Sequence, residues 1–329
     1  MPSKPEFAVR FVAKEKAELV PVEAPSLSLK PTEVAGPTLV SLVSSGTETV
    51  GCYGDRIPSL AFPMDVGYAA VFRVEQLGSK VAGVTTGDVV FVSGPHRSYQ
   101  CVNEDQVVKI PPGLAPETAV FARMAKISLP ALVRSEIRPP EKMIVTGLGV
   151  VGMMAAQIGQ LLGYQVLGCA PGEKRRRIAQ EHGIHATAAA VPITDPEYQK
   201  KVGLGLECSG HEQAALDLCN VARVGGEVAL VGVPWAPRTS LLAQQVFHSV
   251  FHNYVNLRTG WEWNMPADPA IHSHRYHIET ALRWLAEGRL KVGPGAFRRT
   301  PPTDPQKHYQ DILHGRLDEL TVLFDWRQL

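Results

Sequence analysis

The glycines of Val145-Thr-Gly147-Leu-Gly149-Val-Val-Gly152 have the types and spacing to do chemistry. A GxGxxG run between an apolar strand and a helix suits a dinucleotide. Gly147 permits the tight turn, Gly149 lets a pyrophosphate approach the backbone, and Gly152 lets the helix pack closely on the strand. Leu148, Val150 and Val151 complete that turn, and the N–H groups at the helix start face the phosphates. Roughly twenty residues on, an acidic residue would hold a ribose 2′-hydroxyl; Ala170 stands there instead. Lys174, Arg175, Arg176 and Arg177 open the next helix and suit a 2′-phosphate, with Arg175 the first candidate. NADP is therefore expected in preference to NAD. The basic run also reads as a solvated helix face, because four successive helical residues point in different directions. Cys208-Ser209-Gly210 and Val231-Gly232-Val233 end later strands and are small enough for a nicotinamide ribose to lie near the backbone.

A second group of chemical residues is Trp261-Glu-Trp263-Asn-Met265, followed by His272, His274, Arg275, Tyr276 and His277. Ring faces interleaved with polar groups suit a sugar, cyclitol or extended ring, with Trp261, Trp263 and His274 as the contacts. The same composition also suits a domain junction or a subunit interface. Metal binding is not expected here, because the histidines lack cysteine or carboxylate partners at ligand spacing.

These residues need a scaffold of two kinds. Up to about residue 118, short apolar runs such as Thr38–Val43, Ala70–Val74 and Val89–Val92, punctuated by Gly and Pro, predict antiparallel strands. Pro116–Leu132 has helical composition and leads into Lys142–Thr146, a buried parallel-strand run. Alternation follows: helix Val150–Leu162, strand Gln165–Cys169, helix Glu173–His182, strand Val202–Cys208, helix His211–Val221, strand Glu227–Val233 and a strand near Tyr254–Thr259. Beyond Gly260 come helices at His277–Glu287 and Pro305–Gly315 and a strand at Leu320–Phe324. The predicted class is α/β: a doubly wound Rossmann domain at 119–260, between a β-rich first part, 1–118, and its continuation at 261–329.

The chain of 329 residues, 45% hydrophobic and 20% charged, can bury a full core. A formal charge of +1 gives no electrostatic reason to expect nucleic acid or an acidic membrane as partner. No long apolar run and no secretory signal pattern is present, so a cytoplasmic location is expected. The five cysteines, Cys52, Cys101, Cys169, Cys208 and Cys219, never form a CxxC pair, which argues against a disulfide framework and a structural zinc lobe.

Glu104-Asp-Gln-Val-Val-Lys-Ile-Pro111, the GLGVVG run and Leu285-Ala-Glu-Gly-Arg-Leu290 occur in an order that resembles the medium-chain dehydrogenase/reductase superfamily over nearly the whole chain. The resemblance implies a GroES-like catalytic domain with an inserted Rossmann domain, and a homodimer. Zinc-containing members usually carry a CGTD-like segment, a GHE segment and a later acidic or cysteine ligand. The matching segments here are Ser45-Gly-Thr47-Glu48, Gly67-Tyr68-Ala69 and Arg123-Met-Ala, so Ser45, Tyr68 and Arg123 stand at the ligand positions. Hydroxyl, phenol and guanidinium do not assemble a normal zinc site, and no zinc is expected. SGTE followed by GYx is similar to a zinc-lacking branch containing bacteriochlorophyllide dehydrogenase and cyclitol or sugar dehydrogenases. That pattern often has Glu where this chain has Ala69, so the substrate is not carried over.

Without a metal, hydrogen-bond donors must polarise the substrate oxygen. The resemblance makes Thr47 the first candidate. Tyr68 is the second: a phenol titrating ordinarily near 10 serves as general acid when a cation lowers it, and Arg123 and Lys126 are the cations at hand. Glu48 is expected to orient the loop and substrate. Tyr68 and Thr47 also have plain structural readings, as a space-filling core tyrosine and a turn hydroxyl. The expected activity is hydride transfer between NADP(H) and a small-molecule secondary alcohol or ketone. The alternatives are a zinc-independent quinone or enone reductase and a non-catalytic NADP(H) sensor.

Overall fold

The computed structural model describes residues 5–23, 28–57, 60–265 and 272–329. Two compact units share the chain. One comprises Met1–Arg123, Ile278–Ala286 and Phe297–Leu329, and the other Met124–His277 and Glu287–Ala296. The divisions fall after Arg123 and His277, where the sequence suggests 118 and 260. Glu262 and Trp263 hold Lys126, which keeps the segment after Gly260 with the second unit.

In the first unit the Gly- and Pro-punctuated apolar runs become strands. Glu33–Leu42 is central and pairs antiparallel with Ala70–Arg73, Gln76–Leu77, Tyr99–Asn103 and Val322–Asp325. Val89–Val92 and Val107–Lys109 extend the sheet on one side, and Arg298–Thr300 on the other. Glu6–Ala13 forms a smaller sheet with Lys16–Val22 and Met64–Asp65. A core of Phe11, Tyr53, Tyr309, Phe324 and Trp326 closes the unit. Against this core lies an element that the β-rich reading does not anticipate, a nine-residue π-helix at Ser45–Tyr53. Its wide turn shows in bonds five residues apart: Thr49 N to Ser44 O at 3.1 Å and Gly54 N to Thr49 O at 2.9 Å. Such turns are rare and concentrate at functional sites.

In the second unit six parallel strands run in the order Thr187–Ala188, Gln165–Cys169, Lys142–Thr146, Val202–Glu207, Ala222–Leu230 and Asn256–Thr259. In chain order this is 3-2-1-4-5-6, the doubly wound arrangement, whose ligand crevice lies beyond the carboxyl ends of the strands. The order reverses beside Lys142–Thr146, the strand that feeds the glycine run. Helix Val150–Leu162 has the predicted limits and stops at Gly163, whose φ of +97° lies in the left-handed region.

Three elements differ from expectation. The helix predicted over 116–132 is two helices, Pro116–Ala119 and Ala122–Val133, because Phe121 N and Arg123 N bond three residues back and tighten the turn between them. The strand expected from Glu227 begins at Ala222, where the preceding helix ends in extended backbone. Helix Ala243–Asn253 was not anticipated; its largest apolar side chains, Phe247 and Phe251, are exposed, so it lacks the buried stripe by which a helix is read. No helix of the described residues is long and apolar enough to cross a membrane.

Candidate functional site

The glycine run has the geometry its spacing predicts. Gly147 adopts φ +82°, and a Cβ there would lie 2.7 Å from the Ser209 backbone. A Cβ on Gly152 would lie 1.9 Å from Gly147 O, so only glycine lets the helix seat on the turn. A Cβ on Gly149 would meet nothing within 4 Å. That open side lies at the start of helix Val150–Leu162, which no side chain caps, so its first amides have no partner within the helix.

The neighbouring strand ends are held by a carboxylate that sequence reading missed. Glu207 is buried at the end of its strand; Oε1 accepts from Thr146 Oγ1 at 3.2 Å, from Ser209 N at 2.7 Å and from the Ser209 hydroxyl, and Oε2 accepts from Gly210 N at 2.9 Å. The turn Cys208-Ser209-Gly210 is thus fixed from below. It passes backbone to backbone against Val231-Gly232-Val233, where a Cβ on Gly210 would come 2.4 Å from Val233 O. A lone acid in the apolar strand Val-Gly-Leu-Gly-Leu-Glu207 was the available signal.

The basic run divides its work. Arg176 Nη1 donates to Ala170 O at 2.6 Å and Pro171 O at 2.7 Å, bracing the turn after the second strand. Arg177 pairs with Glu181 one turn on, and Lys174 lies in the same first turn. Arg175 instead has a like charge for a neighbour: desolvation first, and Arg238 second, hold its pKa below the ordinary arginine value. Two guanidiniums that oppose each other are relieved by an anion.

Within the first unit, the segments that the sequence resemblance sets at zinc-ligand positions make other contacts. Ser45 donates its hydroxyl to Leu320 O at 3.1 Å. The Arg123 guanidinium lies 4.7 Å above the Tyr68 ring, a cation–π contact between a buried cation and a half-buried phenol. Thr47 is half-buried on the π-helix, and Glu48 beside it is buried. Its Oε2 accepts from Ser44 N at 3.1 Å, and its Oε1 accepts from the Tyr309 hydroxyl and, at 2.8 Å, from His96 Nε2. Neither His96 nor Tyr309 was expected, since the sequence separates them widely from Glu48.

Within the second unit, Lys126, Trp263 and His274 come together. Lys126 is fully buried; its Nζ is 2.8 Å from Glu262 Oε2, 3.1 Å from Glu262 O and 4.2 Å from the Trp263 ring centroid. Its charge is therefore matched by Glu262. Trp263 stacks on His274, with centroids 5.1 Å apart and planes 13° from parallel. His277 is buried beside His272, and burial first, then His272 and Lys126, push its pKa down to about 4. Trp261 is 63% exposed.

Residues 150–259 match the profile of the family described as zinc-binding dehydrogenase. L-Threonine 3-dehydrogenase of Coxiella burnetii is 24% identical over 306 residues, covering 82% of this chain and 84% of that protein. Galactitol-1-phosphate dehydrogenase from Escherichia coli superposes with a TM-score of 0.81 at 18% identity, over 97% of this chain and 99% of that one. Acetophenone reductase from Geotrichum candidum in complex with NAD superposes with a TM-score of 0.80 at 13% identity, over 100% of both chains. A zinc site of the kind this family's description implies needs thiolate, imidazole or carboxylate donors. Ser45, Tyr68 and Arg123 offer none of these, and among the described residues no group of three or more His, Cys, Asp or Glu is arranged to hold a metal. The donor set does not fit zinc, whereas the glycine cradle fits a dinucleotide. The Rossmann segment thus resembles zinc-binding dehydrogenases, and over its whole length the chain shares the fold of these solved dehydrogenases and reductases.

Proposed function

We propose that the protein is a zinc-independent alcohol dehydrogenase or ketone reductase that prefers NADP(H) and acts on a secondary alcohol or ketone borne on a ring. The observation that supports this reading is the Tyr68–Arg123 cation–π pair, with Thr47 on the π-helix of the same unit, at the positions that the sequence resemblance sets for metal ligands. The nicotinamide, when bound, supplies or accepts the hydride.

The chain's own residues have two tasks. The first is to stabilise the negative charge that develops on the substrate oxygen, and a positioned donor contributes about 2.7–4 kcal/mol to that. Thr47 and Tyr68 are the donors. The Arg123 guanidinium over the phenol ring adds a positive charge that favours the deprotonated product of proton transfer, so Tyr68 serves as acid in reduction and base in oxidation. The second task is to hold the dinucleotide. Gly147, Gly149 and Gly152 supply the cradle, and Ala170 removes the carboxylate that would repel a 2′-phosphate. Arg175 and Arg238 supply positive charge in its place. In the second unit the Trp263–His274 stack offers an aromatic face suited to a sugar, cyclitol or other ring.

The test is a panel of cyclic ketones and enones offered with NADPH and with NADH, with product analysis. The reading expects alcohols, formed faster with NADPH. Saturated ketones from enones, with the carbonyl intact, would transfer the chain to the quinone and enone reductases; cofactor binding with no turnover on any carbonyl would make it a sensor.

A further inference from the structure

His96 lies within the first unit, outside every motif that the sequence singles out, and is fully buried. Its ring joins two segments that are distant in sequence. On one side Nε2 lies 2.8 Å from Glu48 Oε1. A carboxylate only accepts, so Nε2 carries the proton and donates. Glu48 directly follows Thr47 on the π-helix. On the other side the His96 backbone N donates to Val66 O at 2.7 Å. Its ring also closes on Gly67, where a Cβ would lie 2.7 Å from His96 Cδ2. Gly67 directly precedes Tyr68.

The rest of the ring's environment is satisfied. Trp326 Nε1 donates to Ser41 Oγ at 2.8 Å, and Ser41 Oγ lies 2.7 Å from His96 Nδ1. With Ser41 bonded to both the indole and Nδ1, and Glu48 bonded to Nε2, each ring nitrogen has its partner. The series ends at Trp326, which has no acceptor, so it cannot pass a proton onward. Tyr309 adds a second donor to Glu48 Oε1; burial first, and the Glu48 charge second, raise its pKa well above the ordinary value, so it remains a donor. A buried, closed network of this kind fixes geometry.

We propose that His96 is the positioning residue that holds the Thr47-bearing turn and the Tyr68-bearing turn in one fixed relation, through Glu48 on one side and Gly67 on the other. Its importance for turnover rests on the function proposed above; its mechanical role does not. The test therefore has two readouts on the full chain, for wild type, His96→Leu and His96→Gln. Hydrogen exchange is followed in peptides covering 44–54 and 66–72. His96→Leu is expected to raise exchange at least tenfold in both, whereas His96→Gln, whose amide can still donate to Glu48, restores protection to 44–54. Ketone turnover follows: kcat falls at least tenfold in His96→Leu, recovers in part in His96→Gln, and the KM for NADPH stays within twofold. A folded His96→Leu with wild-type exchange in either peptide overturns the proposal. If His96→Leu does not fold, His96→Gln decides alone: wild-type exchange at 66–72 together with wild-type kcat overturns it. Wild-type protein that turns over no carbonyl sinks the functional reading and leaves the exchange result to judge His96.

Discussion

Replacing Tyr68 with Phe separates chemistry from packing, because it deletes one oxygen and keeps the ring. The Arg123 guanidinium sits 4.7 Å from the ring centroid, over its face, and that contact survives in phenylalanine. Tyr68 is half-buried, so the lost hydroxyl leaves no sealed cavity, and stability should change by less than about 1 kcal/mol. What is lost is one donor to the developing oxyanion. That contribution, about 2.7–4 kcal/mol, corresponds to roughly a 100- to 1,000-fold fall in kcat. The dinucleotide cradle is built from other residues, so the KM for NADPH should hold within about twofold. Steady-state kinetics on the best ketone of the panel, with a thermal melt as control, measures each quantity. An unchanged kcat would assign Tyr68 to packing, and an equal loss in cofactor affinity would show that the turn had collapsed.

Other consequences are more local. Arg175→Ala should weaken NADPH by about 10- to 100-fold, the value of one charge-assisted bond, and NADH by less than twofold; equal effects in a binding titration would make Arg175 a surface residue. Gly152→Ala places a carbon 1.9 Å from Gly147 O and should weaken both cofactors at least tenfold by calorimetry, whereas unchanged binding would remove the cradle from the account. His277 titrates near 4 in the folded chain and ordinarily near 6.5, so above 6.5 both states are neutral and it contributes nothing to pH dependence. As pH falls from about 6.5 to 4 only the unfolded chain takes the proton, and stability drops by roughly 3 kcal/mol. Denaturant midpoints of His277→Gln should lack that share of the decline; a slope identical to wild type would contradict it.

How much was legible follows from range. The strand, turn and helix at Val145–Leu162 were readable because contiguous residues carry the whole device, and Gly147 and Gly152 stand where a side chain would strain or clash. The contact between Arg123 and the Tyr68 ring joins two residues that were singled out because each sits in a short motif. Glu207 was not read, because its partners are backbone amides that exist only once the turn at 208–210 forms. His96 and Tyr309 were invisible for a different reason: they meet Glu48 across 48 and 261 residues, and no local pattern encodes that. The pairing of Lys126 with Glu262, 136 residues away, was likewise beyond any local pattern. The π-helix at Ser45–Tyr53 has neither a strand's nor an α-helix's period and escaped both templates.

The central claim is that side-chain donors, not a metal, steady the substrate oxygen. Elemental analysis of purified, catalytically active protein, paired with turnover before and after exhaustive chelation, tests it directly. The account predicts well under one zinc per chain and a rate indifferent to chelation. Stoichiometric zinc, removed together with activity and restored with it, would contradict the account.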